Sequence, residues 1–332
     1  MTEYAFELAL CSHLEDRREW VLGRQLGAAV ADPGSRVVDV CAVVPGPAFD
    51  HRTAITSETI PPRAIESDVG PGRAVDPVDA FDCSPDAARR AADRAVEVDF
   101  FEAERRGSRR YVRQTTRYPD WIGRLIGIEN KPDLGRPGEL EWQLRRDVSL
   151  GLFDAVVLAT ESYVTGAHLN RIPEAVGVWR FCGSGEPRPA DTLARSDDGE
   201  FTVVREPTPL APDEPGIEPL DERPLRTDVV VVPPAEKARK RRAIAERAYG
   251  KGWRPRSYPP CASMCPTDDG RPYCAAFDRV VDPGSACGES CPAFEPGDRP
   301  PVDREGLRDA RTPWIADPDG VRRRQAGLDR FT

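Results

Sequence analysis

The feature that most constrains the fold is a strand–helix–strand pattern between residues 118 and 160. Leu125, Ile126 and Ile128 form a short apolar run bounded by Gly123 and Pro132, as a buried strand requires. Gly135, Pro137 and Gly138 mark a loop, after which Leu140, Leu144, Val148 and Gly151 recur at helical spacing. Phe153 to Ala159 is a second apolar run, rich in Val, suited to a strand covered on both faces. Two such strands joined by a helix predict a parallel crossover, which needs a sheet with helices packed against it. The expected fold class is α/β.

The same stretch carries candidate chemistry. Side chains alternate along a strand, so Glu129 and Lys131 project to one face, about 7 Å apart. Asp120 lies upstream, directly after Pro119. A second strand is predicted over Arg36 to Val44, reading RVVDVCAVV with Asp39 inside it. An aspartate within an apolar strand is costly unless it is paired or binds a metal. Asp39 and Asp120 therefore compete for the place beside Glu129, or both contribute. Two carboxylates at the end of a strand pair hold a hard divalent cation through oxygen. Such a cation lowers the pKa of a bound water and stabilises charge on a phosphate, and a neighbouring lysine adds positive charge. The competing reading of Glu129 and Lys131 is a solvated edge strand with a surface ion pair.

Pro119, Asp120, Glu129 and Lys131, in that order, resemble the signature of the restriction-endonuclease-like nucleases, the superfamily written PD-(D/E)xK. The run from Arg171 to Trp179 also resembles the last core strand of such proteins. The resemblance implies a restriction-endonuclease-like core, a mixed sheet flanked by helices, built from residues 1–45 and 118–206. It implies Mg²⁺- or Mn²⁺-dependent hydrolysis of DNA, with Asp120, Glu129 and Asp39 on the cation and Lys131 activating water. Gln143 stands on the next helix, where some recombination-linked members carry a glutamine facing the site. In some members the first core helix donates an acidic residue, and Glu15 is the candidate here, with a solvated glutamate as the alternative. Two departures keep a second outcome open, a nuclease-fold protein that binds nucleic acid without cleaving it. Asn130 stands where an apolar residue is usual, and Pro132 ends the strand at once. The whole chain also resembles an uncharacterised protein family of salt-loving archaea.

Composition agrees with that second resemblance. Acidic residues outnumber basic ones 56 to 47, and Pro is abundant at 34. A net negative surface keeps proteins soluble in concentrated salt. It does not exclude a nucleic-acid partner, because a local basic patch binds phosphate, although counterion release contributes less in such salt. No apolar run approaches the roughly 20 residues of a membrane span. The acidic, amphipathic N-terminus does not resemble a signal peptide, and a cytoplasmic location is expected.

In chain order, residues 3–30 are predicted as one helix, with Phe6, Leu10, Leu14, Leu22 and Leu26 on its apolar stripe and His13 on its polar face. Residues 46–117 read as a helical insertion. Pro85 to Arg106 is expected as helix, followed by a basic turn at 105–110 and a strand over Tyr111 to Thr115. Helix, basic turn and strand resemble the wing of a winged-helix DNA binder, or else form a solvated hairpin. A polar loop is expected at 183–200, a strand over Phe201 to Arg205, and a Pro- and acid-rich connection over Pro207 to Pro224. A strand over Thr227 to Val232 and a basic helix over Ala235 to Ala248 follow within a segment spanning 207–256. Lys237, Arg239, Lys240, Arg241, Arg242, Lys251, Trp253 and Arg254 interleave cations with an aromatic. Phosphate contact plus base stacking is one reading of them, a solvated helix face the other.

Five of the nine cysteines, Cys261, Cys265, Cys274, Cys287 and Cys291, crowd into residues 257–297 among Pro, Gly and Asp. Such a segment cannot build its own apolar core and needs a staple. In a reducing compartment that means metal before disulfide. Thiolate zinc with four ligands is the default, with Cys274 the expected bystander because it belongs to neither C-x3-C pair. A [4Fe–4S] cluster is the rival. By resemblance to recombination nucleases, Cys11 would then serve as a distant ligand. Disulfides or free thiols are the remaining possibility. Residues 298–332 read as a poorly ordered polar tail.

Overall fold

A computed structural model describes residues 2–56, 59–136, 138–182, 200–223 and 225–311. The expected loop at 183–199 and the end of the polar tail beyond 311 lie outside the described residues. Helix α1 (Glu3–Arg18) starts at Thr2, whose hydroxyl accepts the Ala5 N–H, and stops at Glu19, which is left-handed with φ 53°. The single helix expected over 3–30 is thus only half helix. Leu22 and Leu26 do have helical spacing, but Val21–Gly27 forms strand β1, antiparallel to β2 (Val37–Pro45), and tertiary pairing overrides the local pattern. Gly23 is required there. A β-carbon on it would lie 2.6 Å from the backbone of Ala248, in a helix that packs on this strand.

Residues 46–117 leave the sheet and return to it, as expected of an insertion. They form α2 (Phe49–Thr53), α3 (Pro62–Glu66), α4 (Pro77–Ala80) and α5 (Pro85–Glu97), then the hairpin of β3 (Phe101–Arg106) and β4 (Arg109–Gln114). Helix α5 is therefore shorter than expected, because Phe100 and Phe101 turn into the insertion's own core with Ala88, Ala92, Ala95 and Val112. Val75 pairs with Val112 as a third strand position beside the hairpin.

Strand β5 (Ile122–Asn130) re-enters the sheet antiparallel to β2. Helix α6 (Leu140–Leu150), ended by left-handed Gly151, crosses to β6 (Ala155–Thr160), which lies parallel to β5 as the sequence predicts. A short helix α7 (Gly166–Leu169) leads to β7 (Gly177–Cys182), parallel to β6, and then to antiparallel β8 (Glu200–Arg205). The result is a six-stranded mixed sheet in the order β1-β2-β5-β6-β7-β8. Phe6, Leu10 and Leu14 of α1 cover one face with Val40, Ile126 and Ile128. Leu140 and Leu144 of α6 cover the other, with Val43, Leu125 and Val156.

The connection after β8 contains an unexpected strand, β9 (Gly216–Arg223), paired with β10 (Arg226–Val232). Glu218 explains it. Its buried carboxylate accepts from the N–H groups of Val30 and Ala31 and from Arg146, tying the ribbon to the core. Helix α8 (Pro234–Lys251) then packs on the α6 side of the sheet. Three short strands, β11 (Met264–Pro266), β12 (Pro272–Cys274) and β13 (Arg279–Val280), follow with α9 (Pro283–Ala286) and α10 (Arg304–Asp309).

One fully buried ion pair joins insertion, sheet and α8. Arg52 of α2 donates to Glu246 of α8 at 2.8 and 2.7 Å and stacks over Tyr249 at 3.8 Å. The Tyr118 hydroxyl and Trp121 Nε1 donate to the same carboxylate. Removing one partner of such a pair strands a charge in the core, which costs about 3–5 kcal/mol. Glu246→Ala should lose that much in urea unfolding, and Arg52→Met added to Glu246→Leu should recover part of it. A loss below about 1 kcal/mol in Glu246→Ala would place the pair in surface-like solvent.

Candidate functional site

The register of β2 against β5 decides which aspartate meets Glu129. Val40 lies opposite Ile128, so one residue further the antiparallel pair brings Asp39 beside Glu129. The Asp39 carboxylate accepts the backbone N–H of Asn130 at 2.9 Å. Asp120 is exposed and sits before the start of β5, roughly 30 Å of strand away from Glu129. The expectation that it shares a site with Glu129 is corrected.

Around Asp39 and Glu129 the structure gathers charged groups that the sequence reading did not single out. Arg36 donates to Glu129 at 2.6 Å and, through two nitrogens, to Asp147 of α6 at 3.1 and 2.7 Å. Gln25 of β1, left-handed at φ 52°, turns its amide to Glu7 of α1 at 3.2 Å and to Asp39 at 3.3 Å. Glu7 also pairs with Arg24. Both polar atoms of the buried Asn130 carboxamide, on the α1 side, lack a hydrogen bond of normal geometry. Four carboxylates from α1, β2, β5 and α6 thus converge on the end of the sheet where β5 finishes. In an α/β sheet, that carboxyl end of parallel strands is where ligands bind.

Burial raises the pKa of Glu7, Asp39 and Asp147. Glu129 is pushed up to about 8, by burial first and then by the charge of Asp39, with Arg36 opposing. Burial first, and then the like charge of Asp39 on Glu129, favours a proton on the set at neutral pH, with Arg36 opposing at all three carboxylates and Arg146 also at Asp147. Groups whose pKa burial and charged neighbours displace this far, gathered at one place, mark a candidate functional site.

The other expected catalytic residues divide. Lys131 is half-buried just past β5, its N–H donating to the Ala159 carbonyl. Gln143 is half-buried one helical turn before Asp147, on the same side of α6. Glu15 is elsewhere. It accepts from Trp253 Nε1 at 2.9 Å and from both terminal nitrogens of Arg254, at 3.0 and 2.5 Å, and so holds α1 to the segment after α8. The first-helix carboxylate at the site is Glu7. His13 stacks on Phe201 with ring centroids 5.3 Å apart.

The expected basic surface is largely built into the protein. Trp253 and Arg254 are buried with Glu15, so neither can meet a base or phosphate. Lys237 is also buried and donates to the carbonyls of Ala211 and Glu214. Arg241 pairs with Asp154 at 2.7 Å, and Lys251 donates to the carbonyls of Arg24 and Gln25. Lys240 is half-buried, and Arg242 lies over Tyr118. Arg239 is half-buried. The exposed cations of the insertion include Arg105, Arg106 and Arg109 at the turn of the β3–β4 hairpin.

All nine cysteines are free thiols. Cys261, Cys274, Cys287 and Cys291 line one cavity of about 150 Å³. Burial and the neighbouring thiols of Cys274, Cys291 and Cys261 push the Cys287 thiol up. Cys274, the expected bystander, lines this cavity, and Cys265 does not. Met264 and Cys274 face each other across β11 and β12, whereas Cys265 pairs with Tyr273 and alternation turns it to the other face. Cys11 is fully buried under α1 with Phe6 and Leu10, outside that cavity. Among the described residues, no group of three or more His, Cys, Asp or Glu is arranged to hold a single metal ion. Also among the described residues, no helix is long and apolar enough to cross a membrane.

The family model DUF5787, described as a family of unknown function, matches residues 21–296. The chain belongs to that family. No curated protein and no solved structure matches it. The DUF5787 match takes in Asp39, Glu129, Asp147 and all five clustered cysteines, and begins after α1 with its Glu7.

The raised Glu129 pKa has a consequence for stability. The folded protein holds a proton that the unfolded chain releases at the ordinary value of 4.5, so stability is lost as pH rises from there to about 8. One proton gives a slope of up to ~1.4 kcal/mol per pH unit. Urea unfolding across that window should show falling stability, and Glu129→Gln should flatten the fall. A variant with the wild-type slope would mean Glu129 is ionised throughout.

Proposed function

We propose that the protein is a divalent-metal-dependent phosphodiesterase acting on DNA, built on a restriction-endonuclease-like core. The observation that carries this reading is the placement of Asp39 beside Glu129, at the end of β2 and β5. The order of α1, three antiparallel strands, α6 and parallel β6 supports it, as does Glu7 reaching the same end of the sheet from α1. Mg²⁺ or Mn²⁺ takes one or two protein carboxylates and completes its shell with water and substrate phosphate. Asp39 and Glu129 suit that need in kind. A bound cation would acidify a water and stabilise charge on the phosphate. Arg36 would keep Asp147 and yield Glu129. Lys131, on the Glu129 side by strand alternation, would turn its charge to the phosphate, and Gln143 would orient the site. Phosphate contact away from the site would come from Arg105, Arg106 and Arg109.

A second reading, nucleic-acid binding without hydrolysis, is favoured by the position of Arg36. Its guanidinium already occupies the Glu129 and Asp147 carboxylates from within the protein.

Incubating the full chain with single-stranded, duplex and branched DNA in Mg²⁺ or Mn²⁺ tests both readings. Cleavage should vanish with a chelator. Glu129→Gln and Asp39→Asn should each slow it by about 100-fold or more, and Asp120→Asn should cleave at the wild-type rate. DNA binding without cleavage would support the second reading. Neither binding nor cleavage would contradict both.

A further inference from the structure

We propose that Cys261, Cys274, Cys287 and Cys291 together ligate one [4Fe–4S] cluster in the cavity they surround. The four thiols come from three parts of the chain: Cys261 three residues before β11, Cys274 at the end of β12, and the pair Cys287 and Cys291 after α9. Local sequence brings only the last two together, yet all four line one space of about 150 Å³. A zinc ion bonds sulfur at about 2.3 Å, which draws four sulfurs to within about 4 Å of one another and leaves no room between them. The cavity has the volume of about five waters at roughly 30 Å³ each, which suits a cube of iron and sulfide better than a single ion.

The wall between the thiols fits the same occupant. It is largely apolar, with Met264 and Phe294, and so would keep water from the inorganic core. Arg279 also lines the cavity and would offset the negative charge of a four-thiolate cluster. On assembly from ferrous and ferric ions in equal number with inorganic sulfide, each thiol releases its proton as its sulfur bonds an iron, and no atom changes oxidation state. Cys265 faces away and ligates nothing.

The cluster would also brace α1. Asp269, in the turn between β11 and β12, accepts from Ser12 at 2.6 Å, and its carbonyl accepts from Arg254, which holds Glu15. The module and the first helix therefore form one buried polar joint. Assembly of the cluster would stabilise the segment that supports the helix carrying Glu7.

The test is anaerobic purification of the full chain, with iron, acid-labile sulfide and zinc measured and the reduced protein examined by electron paramagnetic resonance. About four irons and four sulfides per chain are expected, if necessary after reconstitution with ferrous and ferric iron in equal amounts and sulfide. Cys274→Ser should lower iron to less than half the wild-type content, and Cys265→Ser and Cys11→Ser should retain it. Circular dichroism of Cys274→Ser, reconstituted with zinc in parallel, separates loss of a ligand from loss of the fold. One zinc and no sulfide would overturn the proposal. So would two irons per chain, full iron in Cys274→Ser, loss of iron in Cys265→Ser, or failure of reconstitution.

Discussion

Buried guanidinium–carboxylate pairs hold this fold together. Arg36 meets Glu129 and Asp147, Arg52 meets Glu246, Arg146 meets Glu218, and Arg254 meets Glu15. Each joins elements distant in sequence: β2 edge to α6, insertion to α8, α6 to the β9–β10 ribbon, and α1 to the segment before the cysteines. Such pairs add little net stability over a well-packed apolar contact, but a misplaced partner leaves a charge without water. They therefore act against alternative arrangements of the helices around the sheet. A chain with so many acidic residues and a modest apolar fraction gains most from that kind of specificity.

The candidate site follows from one of these pairs being incomplete. Arg36 pairs with both Glu129 and Asp147, with Asp39 alongside and Arg146 also acting on Asp147. Burial, and then the charge of Asp39, outweigh Arg36 and push Glu129 up to about 8. A divalent cation offers the missing positive charge. The buried Glu129 carboxyl beside Asp39 favours a ligand of positive charge there.

The sheet was legible where the chain is apolar and locally patterned. The runs at 125–128, 36–44 and 153–159 and the α6 crossover are read directly, and the parallel pairing of β5 and β6 follows from them. The first helix was overextended because Leu22 and Leu26 have helical spacing, and only pairing with β2 makes them strand. The choice of Asp39 over Asp120 needed the register, which no local pattern specifies. Glu7 and Asp147 had a signal that could be read: each occupies the apolar stripe of its helix, Glu7 before Leu10 and Asp147 after Leu144. Trp253 and Arg254 misled for the converse reason. Cations beside an aromatic look the same in sequence on a binding surface and in a buried joint with Glu15. The cysteines were legible as a cluster, but their ligand set depends on which face of β11 and β12 each one takes.

The central claim is that the end of β2 and β5 is a cation site shared by Asp39 and Glu129. Crystals of the full chain soaked in Mn²⁺, with anomalous data collected at the manganese edge, address it directly. An anomalous peak bridging the Asp39 and Glu129 carboxylates is expected, with Arg36 withdrawn from Glu129 and still paired with Asp147. A structure with Arg36 unmoved on Glu129 and no manganese between the carboxylates, at a concentration that saturates other sites, would contradict it.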